Sequence, residues 1–282
     1  MTQYFVYDVF TDKAFGGNQL AVFPDARDIP EDKLQSITAE FNFSEVTFVY
    51  PPESQAHTAR VRIFTPTSEV DFAGHPIIGT LIALSDLGYS SPMGLELGIG
   101  PLTGKVSETG AAFTAGQPLE KLSEPELSLV AEALSLPQSA IKTQTHKPIQ
   151  ASLGLPFVLV ELNDRTALSS CRPDLSAIRR GAELHPAGND FAIFAYVREG
   201  TQIESRMFAP LDNIPEDPAT GSASATLAML LTDILDTSLI LNFTQGVDMG
   251  RPSKIKVYTS QNPNSVTVEG RAVKTMSGEF IL

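Results

Sequence analysis

A short pattern occurs twice in this chain. Arg62, Phe64 and Pro66 spell R-x-F-x-P and are followed by His75-Pro76-Ile77-Ile78-Gly79-Thr80. Arg206, Phe208 and Pro210 repeat the first part, and Asp217-Pro218-Ala219-Thr220-Gly221-Ser222 closes the second copy. Reduced to residue types, both read R-x-F-x-P, a spacer, then [His/Asp]-Pro-x-x-Gly-[Thr/Ser]. The arginines are 144 residues apart, and His75 and Asp217 are 142 apart. Gly17 before Leu20-Ala21-Val22-Phe23 is echoed 137 residues later by Gly154 before Phe157-Val158-Leu159-Val160, and the run from Val46 to Tyr50 is echoed 145 residues later from Phe191 to Ala195. A nearly constant offset close to half of 282 residues implies a duplicated domain, each copy of ordinary size. Two similar domains are therefore expected, 1–117 and 118–282, with the last strand free to pack back on the first domain. A titratable side chain leads each copy, so the copies read as two walls of one active site lying between the repeats.

Composition narrows the class. With 42% hydrophobic residues and no long low-complexity run, each half can bury a core. A net charge of −13, from 20 Lys and Arg against 33 Asp and Glu, argues against a nucleic-acid partner. A small anionic substrate remains compatible if local dipoles attract it. The start, Met-Thr-Gln-Tyr-Phe, lacks a basic and apolar leader pattern, and no stretch approaches the length of an apolar membrane span, which predicts a cytoplasmic protein without membrane partners. Cys171 is the only cysteine, which excludes an intrachain disulfide and a Cys-based zinc site, and the four histidines show no HxxxH spacing. No metal and no cofactor are expected; a Walker loop and a G-x-G-x-x-G opening a helix after a strand are also missing.

The residue pattern predicts strands over Tyr4 to Phe10, Leu20 to Phe23, Val46 to Tyr50 and Ala59 to Phe64, a surface helix over Pro30 to Phe41 with Asp28 as its cap, and a buried helix over Pro76 to Leu87 ended by Gly88. Short β runs fill Leu95 to Phe113, the domain boundary falls in Gln117 to Pro125, and Pro125 to Leu134 reads as an amphipathic helix. The second set has strands at Pro156 to Glu161, Phe191 to Arg198 and Ser205 to Phe208, helices at Pro173 to Arg180 and Pro218 to Leu231, and β runs at Leu239 to Phe243, Lys254 to Tyr258 and Ser265 to Val268. Each half is mostly strand with one apolar helix needing cover on all sides. The economical architecture is α+β, with two sheets each curled round its own helix.

Several residues carry two readings at this stage. Asp217-Pro218 reads as a helix N-cap followed by proline at the first helical position, or as a functional carboxylate. Gly79 and Gly221 suggest close approach to the backbone, either by a ligand at a helix start or by a neighbouring sheet. Glu45, in Asn42-Phe43-Ser44-Glu45 before a β run, reads as a solvated face or a catalytic acid. His75 reads as a structural hydrogen-bonder or a catalyst, Asn18 as a turn residue or a ligand contact, and Cys171 as a small packing residue.

The chain also resembles a known family. The residues that carry the likeness are Gly17-Asn18-x-x-Ala21-Val22-Phe23, Asn42-Phe43-Ser44-Glu45-x-Thr47-Phe48-Val49, Phe64-Thr65-Pro66 through Phe72-Ala73-Gly74-His75-Pro76-x-x-Gly79-Thr80, Glu216-Asp217-Pro218-Ala219-Thr220-Gly221-Ser222-Ala223, and Gln245-Gly246-Val247 with Gly250-Arg251-Pro252-Ser253. In this order they resemble the phenazine-biosynthesis PhzF-like family. The resemblance implies a diaminopimelate-epimerase-like fold of two similar halves, each a mixed β barrel round a central helix, and assembly into a homodimer. It implies Glu45 as the proton-carrying acid/base, His75 and Asp217 beside it in catalysis, and Gly74, Ser222, Gly221, Thr220 and Asn18 as substrate-binding positions. Related epimerases use two opposed thiols, and neither motif here contains one. The expected activity is thus a cofactor-independent isomerase that moves a proton on a small carboxylate-bearing substrate with a single carboxylate, Glu45 working best if burial raises its pKa. The alternatives are a two-base epimerase or racemase using Glu45 and Asp217, and a non-catalytic small-molecule-binding protein of the same fold.

Overall fold

The computed structural model describes every residue except 188–190, 263 and 282, so a few positions of the expected second repeat lie outside the described residues. The chain forms two compact units, residues 1–115 with 267–282, and residues 116–266.

In the first unit, β1 (Thr2–Val9) pairs antiparallel with β2 (Asn18–Phe23), and β2 runs parallel to β3 (Glu45–Tyr50) with Leu20 opposite Glu45. A parallel neighbour needs a crossover, here supplied by α1 (Leu34–Phe41). From β3 the chain turns antiparallel into β4 (Ala59–Phe64) and the short β5 (Glu69–Val70). A second crossover, α2 (Gly74–Asp86), carries it to β6 (Met93–Leu97), parallel to β4, and on through antiparallel β7 (Gly100–Ser107) and β8 (Gly110–Ala115). The first ten residues of α2 are buried but for Ile82, and the helix touches β1, β2, β3, β7 and β8. Strands on several sides cover a helix that is apolar on more than one face, as its sequence requires.

The second unit repeats this order. After β9 (Glu120–Ser123) and α3 (Leu127–Ala133), β10 (Ile149–Ser152) pairs antiparallel with β11 (Pro156–Glu161), and β11 runs parallel to β12 (Ile193–Glu199). The crossover is made of α4 (Arg165–Ser170) and α5 (Leu175–Leu184), each started by an aspartate, Asp164 or Asp174, whose side chain accepts from a backbone N–H three residues on. Then β13 (Gln202–Ala209) and β14 (Ile214–Asp217) pair as β4 and β5 do, and α6 (Gly221–Leu235) crosses to β15 (Ile240–Gln245), which is parallel to β13. Antiparallel β16 (Ser253–Gln261) follows. The matching order of parallel and antiparallel partners is the duplication seen in the sequence. β17 (Asn264–Gly270) takes the chain out of the second unit, and β18 (Ala272–Phe280) pairs with β1 in the first.

Three helix starts differ from their sequence expectation. Asp28 caps nothing: a 3-10 turn over Glu31–Lys33 precedes α1, and neither segment has a side-chain cap. Asp217 is the last residue of β14 rather than the cap of α6, whose cap position is Thr220. In the first copy the helix begins one residue before the histidine, at Gly74. The two copies of [His/Asp]-Pro-x-x-Gly therefore share a sequence pattern but not a helix boundary. Gly88, with φ of +92°, follows α2 as expected, and the Tyr89 N–H returns to the Leu84 carbonyl at 3.1 Å.

Candidate active site

Gly17 sets the first part of the site. Its φ is +62°, and a Cβ there would meet the Val9 carbonyl oxygen at 2.1 Å, so only glycine fits this turn. The turn delivers Asn18 to the head of β2, buried at 3% exposure. Asn18 Oδ1 accepts from the Ser44 hydroxyl at 3.4 Å, and Asn18 Nδ2 lies 3.5 Å from His75 Nδ1. His75 Nδ1 is also 3.5 Å from Glu45 Oε2. Parallel pairing of β2 with β3 places Glu45 beside Leu20 at the start of its strand, and α2 contributes the histidine from its second position. These contacts are at or beyond the long end of the hydrogen-bond range.

His75 is 5% exposed, and burial pushes its pKa down to about 3 against a smaller opposing effect of the Gln19 backbone. The imidazole is therefore neutral near pH 7: it can orient a carboxyl group or a substrate by hydrogen bonding, and it is not a charged partner for Glu45. The α2 cap position is Ala73, which has no side-chain acceptor for the first-turn N–H groups, and Gly74 opens the helix without a Cβ. Gly79 has a different reason. A Cβ there would meet Leu20 Cδ2 at 2.5 Å and Val9 Cγ2 at 2.8 Å, so its close approach is to the sheet.

The second unit has its own cluster. Asp217 is 6% exposed, and its Oδ2 accepts from the Thr220 hydroxyl at 2.5 Å. Gln245, at the end of β15, donates to the Asp217 carbonyl at 2.8 Å and to Thr220 Oγ1 at 3.0 Å, and accepts from Thr220 N at 3.1 Å. With its hydroxyl turned toward Asp217, Thr220 gives α6 no side-chain cap. Gly221 and Ser222 occupy the first two helical positions, at the positive end of the helix dipole. The Gln245 contacts were not expected from the sequence. Only its place in the Gln245-Gly246 motif marked it, and Gly246 has φ of +74° with its Cβ position 2.7 Å from the Pro218 carbonyl, so the two residues brace one loop together.

The repeated arginines are structural. Arg62 makes a two-pronged pair with Glu69 at 2.7 Å and reaches Glu31, while Arg206 makes the same pair with Glu216 at 2.8 and 2.7 Å and donates to the carbonyls of Leu168, Ser169 and Cys171. Each guanidinium also stacks on the phenylalanine two residues on, Phe64 or Phe208. The motif R-x-F-x-P thus ties the edge strand β5 or β14 to its neighbour. A concavity of about 600 Å³ in the first unit is lined by Arg62, Glu69, His57 and Glu96, and one of about 350 Å³ in the second by Arg206, Glu216, Arg172 and Asp248. Neither contains Glu45, His75 or Asp217, so the clusters are singled out by their chemistry. Cys171 is buried, and burial pushes its thiol up to about 12, which leaves it without thiolate character. Among the described residues, no group of three His, Cys, Asp or Glu side chains could hold a metal ion, and no helix is long and apolar enough to cross a membrane.

Residues 7–278 match the family model described as phenazine biosynthesis-like protein, PhzC-PhzF. The chain is 37% identical to an uncharacterized isomerase of Mesorhizobium japonicum, over 99% of this chain and 98% of that protein. It is 34% identical to the trans-2,3-dihydro-3-hydroxyanthranilate isomerase of Pseudomonas aeruginosa, over 100% of both. Its fold is that of the Bacillus anthracis phenazine biosynthesis protein of the PhzF family, with a TM-score of 0.87, 22% identity and coverage of 100% and 99% of the two chains.

Proposed function

Since the chain belongs to the phenazine biosynthesis-like PhzC-PhzF family, in which curated relatives are named isomerases, we propose that it is a cofactor-independent isomerase that moves a proton on a small carboxylate-bearing substrate. The observation that carries this reading is the Glu45–His75–Asn18–Ser44 network, which holds one carboxylate against a buried neutral imidazole. In the proposed reaction the Glu45 carboxylate takes a proton from an acidic C–H, the electron pair of that bond shifts to form a new double bond, and the resulting carboxylic acid returns the proton to the far carbon of the displaced double bond. His75, which would not be charged near neutral pH, orients Glu45 and the substrate. The open helix starts at Gly74 and at Gly221 and Ser222 offer N–H groups to substrate carboxylate or hydroxyl oxygens. Asp217 is assigned to substrate binding. The acidic chain offers no general attraction for anions, so local dipoles are what would draw such a substrate. A cytoplasmic location and a homodimer belong to the same proposal, and sedimentation at micromolar concentration tests the dimer.

The probe is trans-2,3-dihydro-3-hydroxyanthranilate, the compound in the names of the Pseudomonas relatives. In heavy water, turnover should incorporate solvent deuterium at one carbon, and Glu45→Gln should reduce the rate by roughly 10²–10⁴-fold while binding survives. If this probe is inert, the same exchange measurement on other small unsaturated carboxylates carries the test. Wild-type turnover by Glu45→Gln on any accepted substrate overturns the assignment.

A further inference from the structure

The hydrogen bonds around Asp217 have a direction. Gln245 is fully buried, and its amide is oriented by two backbone groups: Nε2 faces the Asp217 carbonyl at 2.8 Å, and Oε1 faces the Thr220 N–H at 3.1 Å. Exchanging oxygen and nitrogen would set acceptor against acceptor and donor against donor, so this orientation is fixed. The same Nε2 donates to Thr220 Oγ1 at 3.0 Å. With that oxygen accepting from Gln245, the proton of the Thr220 hydroxyl is directed away from the amide, onto Asp217 Oδ2 at 2.5 Å. An oxygen that receives this proton must present a lone pair. An ionised carboxylate is the strongest such acceptor, whereas the hydroxyl oxygen of an acid protonated on Oδ2 is a weak one.

We infer that Gln245 and Thr220 are positioning residues, a one-way relay that holds Asp217 Oδ2 as an acceptor and favours its ionised form. A hydrogen bond given to the charged form of a carboxyl group lowers its proton affinity, and burial acts in the opposite sense. The charged side chains on the elements packed round this loop are Glu204 and Arg206 on β13, Glu216 on β14, Asp233 on α6, Asp248 and Arg251 in the turn after β15, and Lys254 and Lys256 on β16. Arg206 and Glu216 are paired with each other, and Asp248 with Arg165, so the charges nearest the loop largely compensate. An ionised Asp217 takes a donor from a ligand, an amine or a hydroxyl, and rejects a second carboxylate. This specificity consequence rests on the isomerase reading of the site; the relay itself does not.

The test is an NMR titration of the Asp217 carboxyl carbon in full-length, ¹³C-labelled protein. Thr220→Val removes the hydroxyl and keeps the shape, and should raise the Asp217 pKa by roughly one unit, a tenfold change in proton affinity. Thr220→Ser should restore the wild-type value. Gln245→Met frees the hydroxyl to rotate and should raise the pKa by less than the valine change does. If Thr220→Val does not melt cooperatively, Thr220→Ala is read in its place. An unshifted pKa in the variant lacking the hydroxyl, or a serine variant shifted as far as valine, overturns the relay. Neither result bears on Glu45, whose role is read from the turnover of Glu45→Gln and from deuterium exchange.

Discussion

His75 Nδ1 stands 3.5 Å from Glu45 Oε2, and burial sets the state of the imidazole. A histidine placed next to a carboxylate in water would gain affinity for a proton. Here desolvation pushes the imidazole down to about 3, against a smaller opposing effect of the Gln19 backbone.

A pH dependence of stability follows. The unfolded chain protonates His75 near the ordinary histidine value of 6.5, whereas the native chain resists protonation until about pH 3. Between these values the unfolded state binds more protons, so stability falls as pH falls, by roughly 1 kcal/mol per pH unit from this one group. The slope is about half its full size at pH 6.5 and fades out roughly one to two pH units above that value. Urea midpoints measured from pH 7.5 to 4.5 should show this loss, and His75→Gln should reduce its slope. Parallel curves for the two proteins would mean that His75 is not the group responsible.

The two arginine clamps should differ in strength although their sequence pattern is the same. Arg206 and Glu216 have side-chain exposures of 7% and 16%, against 20% and 42% for Arg62 and Glu69. Removing one partner of a buried pair leaves a charge without compensation, at a cost of about 3–5 kcal/mol, while an exposed pair contributes about 0–1 kcal/mol. Glu216→Gln should therefore cost about 3 kcal/mol, at the lower end because three backbone carbonyls still hold Arg206. Glu69→Gln should cost less than about 1 kcal/mol, since Glu31 remains on Arg62. Chemical denaturation of the two variants checks the ranking.

Gly79 tests the packing reading of the first motif. Alanine would gain about 1 kcal/mol of helix propensity, but its Cβ would stand 2.5 Å from Leu20 and 2.8 Å from Val9, both fully buried. Overpacking of this kind costs about 1–3 kcal/mol, so Gly79→Ala should lower Tm by several degrees. An unchanged or raised Tm would show that the sheet yields at this point.

The strands legible in the sequence were those with dense β-branched and aromatic runs: Ala59–Phe64 and Pro156–Glu161 fall where the pattern sets them. β18 was not legible as an element, because Ala272–Phe280 mixes lysine, glutamate and glycine and its formation depends on pairing with β1 at the other end of the chain. The start of α6 misled for a local reason. Asp-Pro has the composition of a helix cap, yet Gln245, from a strand beyond the helix, holds both the Asp217 carbonyl and the Thr220 amide, and the helix starts only at Gly221. Long-range hydrogen bonds decided that boundary, and no window of sequence around Asp217 contains them. Glu45 and His75 could be singled out by residue type and family likeness, but the neutral state of the imidazole follows from burial, which spacing does not encode.

The last prediction ranks the two carboxylates. If Glu45 alone carries the proton, Glu45→Gln should lose roughly 10²–10⁴-fold in turnover. Asp217→Asn keeps the size of the side chain and can still accept from the Thr220 hydroxyl through its amide oxygen. It should therefore lose less, and mainly through substrate affinity, so that KM rises more than kcat falls. A two-base epimerase behaves differently: either change removes one face of the proton transfer, and both variants lose turnover to a similar, near-complete extent. Deuterium placement separates the same alternatives, because a single carboxylate moves a proton between carbons, whereas two opposed bases exchange it at one carbon with inversion. Comparable kcat losses in both variants, with exchange at one inverted centre and unchanged melting curves, would replace the isomerase assignment with the epimerase one.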